Sequence, residues 1–377
     1  MAGIYIHIPF CRQACHYCNF HFTTSLRRKN ELVAALLKEL EIQRTYLQGE
    51  PVETIYFGGG TPSLLSGVEL QLLMDRVHEL FPVAGDAECT FEVNPDDVTP
   101  GKVDEWLAAG INRLSLGIQS FHQADLEWMN RAHTVQQAHD AIQAIQRGGI
   151  TNFTIDLIYG GPTLGDETWR ENINTALSYA IPHLSCYALT VEEKTPLYKY
   201  IREHQKSDVD PDRQAIHFEI LVDMLEKAGY RHYEISNFAK PGFESRHNTS
   251  YWEGKKYLGI GPSAHSFNGS ERQWNVSNNA TYINKLEEGQ PAFEKEVLTA
   301  VDRLNEYIMT SLRTDKGIDL AYIQENWGMP ARVKLVGISR KYVEQEWVRE
   351  ENGRIILRRA GKFLADGLAA GLFFDQR

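Results

Sequence analysis

Three of the five cysteines, Cys11, Cys15 and Cys18, fall within eight positions as C-x3-C-x2-C, with Tyr17 ahead of the last. Three thiolates can hold three irons of a [4Fe–4S] cluster and leave the fourth iron without a protein ligand, whereas complete structural clusters use four cysteines. An open coordination position binds something else, the logic that separates catalytic from structural zinc. The other readings are a zinc site completed by His7 or His16, or a set of buried free thiols. Cys89 and Cys186 sit in apolar runs, where a free thiol behaves as a small hydrophobe.

Other groups gather where such a site needs them. Phe57-Gly58-Gly59-Gly60-Thr61-Pro62 follows a predicted strand, and glycines there let backbone approach a ligand closely. Glu92 ends the next strand, Gln119 follows the one after, and Asp156 lies near the end of a fifth. Each alone reads as a cap or a satisfied surface group. Placed at the C-terminal ends of successive barrel strands, they converge on one mouth.

The elements that must position these residues read as a strand–helix alternation. Strands are predicted at Ile4–Ile8, Thr54–Phe57, Cys89–Val93, Arg113–Ile118, Asn152–Ile158 and His183–Leu189. Helices are predicted at Glu31–Leu47, Gly67–Phe81, Gly101–Ala109, Val135–Arg147, Thr168–Tyr179 and Arg213–Lys227, with a further strand at His232–Ile235. Ser66 and Glu69 fit a capping box, and Thr99-Pro100 is a cap followed by a first-turn proline. Six such repeats imply a parallel sheet with right-handed crossovers, doubly wound or a partial (β/α)6 barrel of the TIM type.

The texture changes near residue 240. Lys240–Gly261 is rich in Gly, aromatic and polar residues, Gly269–Asn279 reads as loop, and Gly259-Ile260-Gly261-Pro262-Ser263-Ala264 lacks the βαβ unit and acidic residue of a dinucleotide fingerprint. From about Asp302 come helices at Arg303–Leu312 and Leu320–Trp327, a strand pair turning at Asn352-Gly353, and a final helix, a small α+β, winged-helix-like module. The division expected is 1–240, 241–300 and 301–377.

The chain has 377 residues, 42% hydrophobic and 24% charged, which excludes disordered, collagenous and coiled-coil classes. With 50 acidic and 39 basic side chains, the net charge of −11 argues against broad nucleic-acid or anionic-membrane binding. No apolar run nears the roughly 18 residues of a membrane span, and the start MAGIYIHIPFCRQ has no basic stretch ahead of an apolar one. A cytoplasmic protein is expected, in which the sequons at Asn152, Asn248, Asn275 and Asn279 carry no sugar.

Cys11-Arg12-Gln13-Ala14-Cys15-His16-Tyr17-Cys18 resembles the signature of the radical S-adenosylmethionine (SAM) superfamily. In that superfamily the open iron is chelated by SAM. The stretches I-H-I-P-F-C, Y-F-G-G-G-T-P-S, F-E-V-N-P-D, N-R-L-S-L-G-I-Q-S-F and I-D-L-I-Y-G-G-P are similar to the oxygen-independent coproporphyrinogen III oxidase family, over nearly the whole chain. The resemblance implies SAM contacts from Tyr5, Tyr17, Gly59, Gly60, Thr61, Glu92, Gln119, Arg131 and Asp156.

Two departures point away from the oxidase itself. It carries a fourth cysteine where this chain has Phe20, and a longer arm before the cluster, where this chain has ten residues. His247-Asn248-Thr249-Ser250-Tyr251-Trp252 matches the H-N-x-x-Y-W motif of the heme-chaperone branch of that family. Imidazole is an axial ligand to heme iron, and Tyr251 and Trp252 offer apolar faces to the macrocycle. The bland alternative is a surface-loop histidine beside packing aromatics. No second heme ligand stands out among His265, Cys89 and Cys186. The resemblance implies a chaperone holding the cluster, SAM and heme, passing heme to acceptor hemoproteins such as membrane respiratory enzymes, and forming a homodimer that depends on the cluster. The alternatives are oxidative decarboxylation of coproporphyrinogen III propionates, or radical SAM chemistry on another substrate.

Overall fold

The computed structural model describes residues 2–375. Six strands, β1 (Ala2–Ile8), β2 (Val52–Gly59), β3 (Val83–Val93), β4 (Arg113–Gln119), β5 (Phe153–Tyr159) and β6 (His183–Ala188), lie in that order, each parallel to the next. Between and after them run α1 (Lys29–Ile42), α2 (Gly67–Leu80), α3 (Pro100–Ala108), α4 (Gln123–Trp128), α5 (Val135–Arg147), α6 (Asp166–Ser178), α7 (Pro196–Arg202) and α8 (Pro211–Lys227). The local signals act as expected: Ser66 and Glu69 form a capping box, and the Thr99 side chain accepts from the Lys102 amide ahead of Pro100.

The period of two along each strand divides the sheet into two faces. Ile4, Ile6, Ile55, Phe57, Phe91, Leu114, Leu116, Ile155 and Leu184 belong to an apolar core with Leu36, Leu73, Trp106, Ile142 and Trp169 of the helices. The alternate positions carry Tyr5, His7, Tyr56, Glu92, Arg113, Ser115, Gln119, Asp156 and Ser185, so the other face is polar. Cys89 and Cys186 lie on the apolar side, fully packed.

The sheet does not stop at six strands. Instead of one strand at His232–Ile235, β7 (Arg231–His232) and β8 (Asn237–Ala239) form an antiparallel pair against β6. The Gly-rich, aromatic and polar stretch Lys240–Gly261 holds α9 (Arg246–Trp252) and β9 (Lys256–Ile260), and the stretch Gly269–Asn279 expected as loop holds a whole strand, Glu271–Asn275. With β10 (His265–Phe267), β11 (Glu271–Asn275), α10 (Asn279–Glu287) and β12 (Phe293–Val297), they extend the β1 edge to a twelve-stranded sheet. The signals for these elements are long-range. β9 takes its ladder from β1, some 250 residues earlier, and the Glu88 carboxylate of β3 accepts from the Arg246 and His247 amides that open α9.

Glu39 of α1 ties this extension down. Its buried carboxylate accepts from the Gly261 amide at 2.8 Å, the Asn275 amide group at 2.7 Å and the Tyr282 hydroxyl at 2.5 Å. Burial pushes its pKa up to about 7, against those hydrogen bonds, which favour the charged form. A folded pKa above the unfolded one stabilises the protein fully below the unfolded value and loses that contribution as pH rises through about 7. Between pH ~5 and ~8 the Glu39 contribution is therefore expected to fall by roughly 3 kcal/mol, and Glu39→Gln to flatten that part of the profile, read from urea midpoints at each pH.

The C-terminal module comprises α11 (Ala300–Leu312), β13 (Ile318–Asp319), α12 (Leu320–Glu344), β14 (Val348–Glu351), β15 (Arg354–Leu357), α13 (Arg359–Lys362) and α14 (Ala365–Ala370). It has its own core around Leu304, Ile308, Leu335, Ile355 and Leu368. Asn352 and Gly353 turn the β14–β15 hairpin with φ of 50° and 72°, as a tight hairpin turn demands. The helix expected to end at Trp327 resumes after a kink at Gly328 (φ 85°) and runs to Glu344, because Pro330 suits a new first turn. The single final helix expected is two short ones. Among the described residues no helix is long and apolar enough to cross a membrane.

Candidate functional site

The cysteines lie on an irregular segment after β1 that side chains and backbone hold in place. The Cys11 amide donates to the Thr23 carbonyl at 3.0 Å and the Thr23 amide to that of Pro9 at 2.8 Å, closing the loop on itself. Arg12 pairs with Asp97 at 2.7 Å, and the Gln13 side chain donates to the Asn130 carbonyl at 3.0 Å. His7 joins the frame through Nε2 to the His21 carbonyl at 2.9 Å and Nδ1 to the Tyr5 hydroxyl at 3.1 Å. Burial lowers its pKa to about 4, so it is neutral, and both ring nitrogens are engaged. His7 is thereby spent as a zinc ligand. Among the described residues no three Cys, His, Asp or Glu are arranged to hold a single metal ion.

All three thiols are free and half-buried, and all line one cavity of ≈ 560 Å³ at the C-terminal ends of the strands. The Thr61 hydroxyl donates to Cys11 Sγ at 3.5 Å and Arg131 Nη1 to Cys15 Sγ at 3.4 Å. Burial raises the Cys11 and Cys18 thiols, Cys18 to about 11, and metal binding must overcome this, since the ligand is the thiolate. Three thiols around one wall, two with donors aimed at sulfur, fit a multi-iron body better than one ion.

The same cavity gathers Tyr17, Gly59, Gly60, Thr61, Glu92, Gln119, Arg131 and Asp156. Of the nine SAM contacts expected, only Tyr5 lies behind the wall, stacked on Tyr56 at 6.0 Å between ring centroids. Glu92 accepts from the Tyr56 hydroxyl at 2.7 Å and the Gly59 amide at 3.2 Å. Burial raises Glu92 to about 7 and Asp156 to about 6. Arg131, which no local signal singles out, is pinned by bonds to the Gly117 carbonyl at 2.8 Å and Asn94 at 2.9 Å. Gln119 turns out of β4 in the left-handed region (φ 68°), a strained conformation for a side-chain-bearing residue.

Arg131 Nε, Arg113 Nη2 and Asp96 Oδ1 are buried at this cavity with no hydrogen-bond partner among the described residues, and Arg113 Nε meets only the Glu88 carboxylate, at 3.9 Å. Such orphans cost about 1–3 kcal/mol each, so both signs of charge await a polar, zwitterionic occupant there. The glycines serve the chain itself: a Cβ on Gly59 (φ 108°) would lie 2.5 Å from the His7 ring, and one on Gly60 2.6 Å from the Phe10 carbonyl.

Sequence reasoning missed several wall residues. Tyr56, Arg113, Ser115, Ser185 and Tyr187 were legible as the polar alternates of apolar strands. Lys362, Phe363 and Asp366 close the far wall from the C-terminal module, and nothing near them in the chain signals it. Phe20, where the oxidase family has its fourth cysteine, stands 67% exposed at the cavity rim.

His247 is elsewhere. It is 1% exposed on the inner face of α9, outside the cavity, with Nδ1 bonded to the Thr54 hydroxyl at 2.8 Å and Nε2 to that of Tyr251 at 2.9 Å. Its ring stacks on Tyr56 at 4.9 Å, and burial lowers its pKa to about 3. Iron ligation through Nε2 requires the Tyr251 hydroxyl to leave. Cys89 and Cys186 sit on the opposite, apolar side of the sheet, and His265 is exposed on β10.

Residues 5–176 match the Radical SAM superfamily. The chain is 33% identical over 97% of both chains to a Bacillus subtilis protein named heme chaperone HemW. It is 40% identical to the Escherichia coli protein of that name, over 70% of this chain and 69% of the other. Among solved structures, coproporphyrinogen III oxidase (HemN) from Escherichia coli superposes with a TM-score of 0.86 over 99% of this chain and 90% of the other. At 22% identity, that likeness speaks for the fold alone. The chain belongs to the radical SAM superfamily and, within it, to the family of the heme chaperone HemW.

Proposed function

We propose that this protein is a heme chaperone of the cytoplasm that holds a [4Fe–4S] cluster and SAM, takes up heme and passes it to acceptor hemoproteins, respiratory enzymes of the membrane among them. The observation that carries this reading is end-to-end similarity to proteins named heme chaperone HemW, together with an H-N-x-x-Y-W motif folded as a helix of its own. Cys11, Cys15 and Cys18 would hold the cluster, which when bound supplies the open iron and the electron of radical SAM chemistry. Glu92, Asp156, Arg131 and the backbone at Gly59–Thr61 would bind and orient SAM, in a cavity where Arg131, Arg113 and Asp96 each keep a buried polar atom without a hydrogen-bond partner, which suits its amino-acid end. His247 is proposed as the heme imidazole, reached by a shift of α9 that frees Nε2, and a homodimer as the assembled form.

The second reading, anaerobic decarboxylation of coproporphyrinogen III, is favoured by the shared fold. Phe20 in place of a fourth cysteine speaks against it. Protein reconstituted anaerobically and supplied with SAM, a strong reductant and coproporphyrinogen III separates the two. No decarboxylated porphyrinogen by mass spectrometry, 5′-deoxyadenosine formed and one heme bound per chain are expected. Many turnovers of product would sink the chaperone reading.

A further inference from the structure

We propose that the heme macrocycle is seated in a second cleft, between the outer flank of α9 and the C-terminal module. This rests on the chaperone reading and adds to it a site separate from the cysteine cavity. α9 stands as a wall between two spaces: Asn248 touches the cysteine cavity, whereas Thr249 and Trp252 face a cleft of ≈ 430 Å³ on the other side. That volume falls in the roughly 300–1,000 Å³ range of cofactor sites.

The lining suits a flat, apolar ring with carboxylates at its edge. Trp252 and Tyr233 face it from the sheet side, and Tyr307 and Tyr322, tilted against each other with ring centroids 4.5 Å apart, from α11 and α12. Aromatic walls of this kind favour offset-stacked and edge contacts with a planar π-system. Trp252 Nε1 and Thr249 Oγ1 are buried without a partner among the described residues, so the motif helix turns two unsatisfied polar groups toward this side. At the mouth, Arg231 pairs with Asp315 at 2.6 Å and Lys316 with Glu253 at 2.7 Å, across the join of sheet and module. Both cations are more than half-exposed or nearly so, and exposed pairs of this kind are worth only ~0–1 kcal/mol. Arg231 also meets Glu244 at 3.4 Å, and a ligand's carboxylates can take Arg231 and Lys316 in exchange for Glu244, Asp315 and Glu253, which is the chemistry of the two heme propionates. The assignment concerns the macrocycle and stands whichever side chain binds the iron.

The test titrates the full reconstituted chain with hemin, by absorption, and with metal-free protoporphyrin IX, by fluorescence. Tyr322→Ala, at a 44% exposed side chain, and Lys316→Glu, at a 57% exposed one, are each expected to weaken both probes about tenfold while leaving melting temperature and cluster absorption unchanged. His247→Gln is expected to leave protoporphyrin affinity unchanged, because His247 lies on the inner face of α9 and lines no part of the cleft. Parent-like affinity for both probes in the two cleft variants overturns the seat and leaves the chaperone reading standing. A parent that binds neither probe overturns both.

Discussion

Cys15→Ala protein reconstituted anaerobically is expected to lack a full cluster, with iron and acid-labile sulfide falling from about four per chain to well below one. Two thiols cannot hold three irons. His7 is committed through both nitrogens and cannot take the place of the lost thiolate. Loss of the sulfur also strips Arg131 of the partner its Nη1 has at 3.4 Å. The loop itself is expected to survive, because Arg12–Asp97, Gln13–Asn130 and the Cys11–Thr23 backbone bond hold it independently of that thiol. Metal-free variant and metal-free parent should therefore melt within about 1 kcal/mol of each other. Loss of SAM binding should accompany loss of iron. A full four-iron complement in Cys15→Ala would remove the site assignment altogether.

His247→Ala is expected to cost about 3–5 kcal/mol of stability, a loss larger than that of any surface histidine. The substitution empties a fully buried ring site stacked on Tyr56 and leaves the Thr54 and Tyr251 hydroxyls without their imidazole partner. Burial holds the folded pKa near 3, below the unfolded value of ~6.5, so its contribution is present above pH ~6.5 and lost as pH falls toward 3. The variant should lack that part of the acid limb, as chemical denaturation at several pH values would reveal. Below its melting temperature the variant is also expected to lose the histidine-ligated heme spectrum. Heme bound as tightly and with the same spectrum as in the parent would end the ligand proposal and leave His247 as the residue that fastens α9 over Tyr56.

These two residues mark how far the sequence by itself reaches. The cysteine spacing names its own chemistry, because metal ligation by closely spaced thiols depends on neighbours in the chain. The strand–helix alternation, the capping box at Ser66 and the hairpin turn at Asn352-Gly353 were legible for the same reason, since each is a local interaction. Resemblance supplied Arg131 and the expected SAM contacts, and the convergence of all of these but Tyr5 on one cavity depends on strands paired across the sheet. Only the tertiary structure turned the stretch after residue 240 into α9 and β9, through Glu88 and β1. Only it buried His247 against Tyr56 and brought Lys362 and Phe363 to the wall of a cavity whose lining begins at Cys11. The reason is physical: burial and long-range pairing are properties of what a residue packs against, and a linear pattern records only the residues beside it.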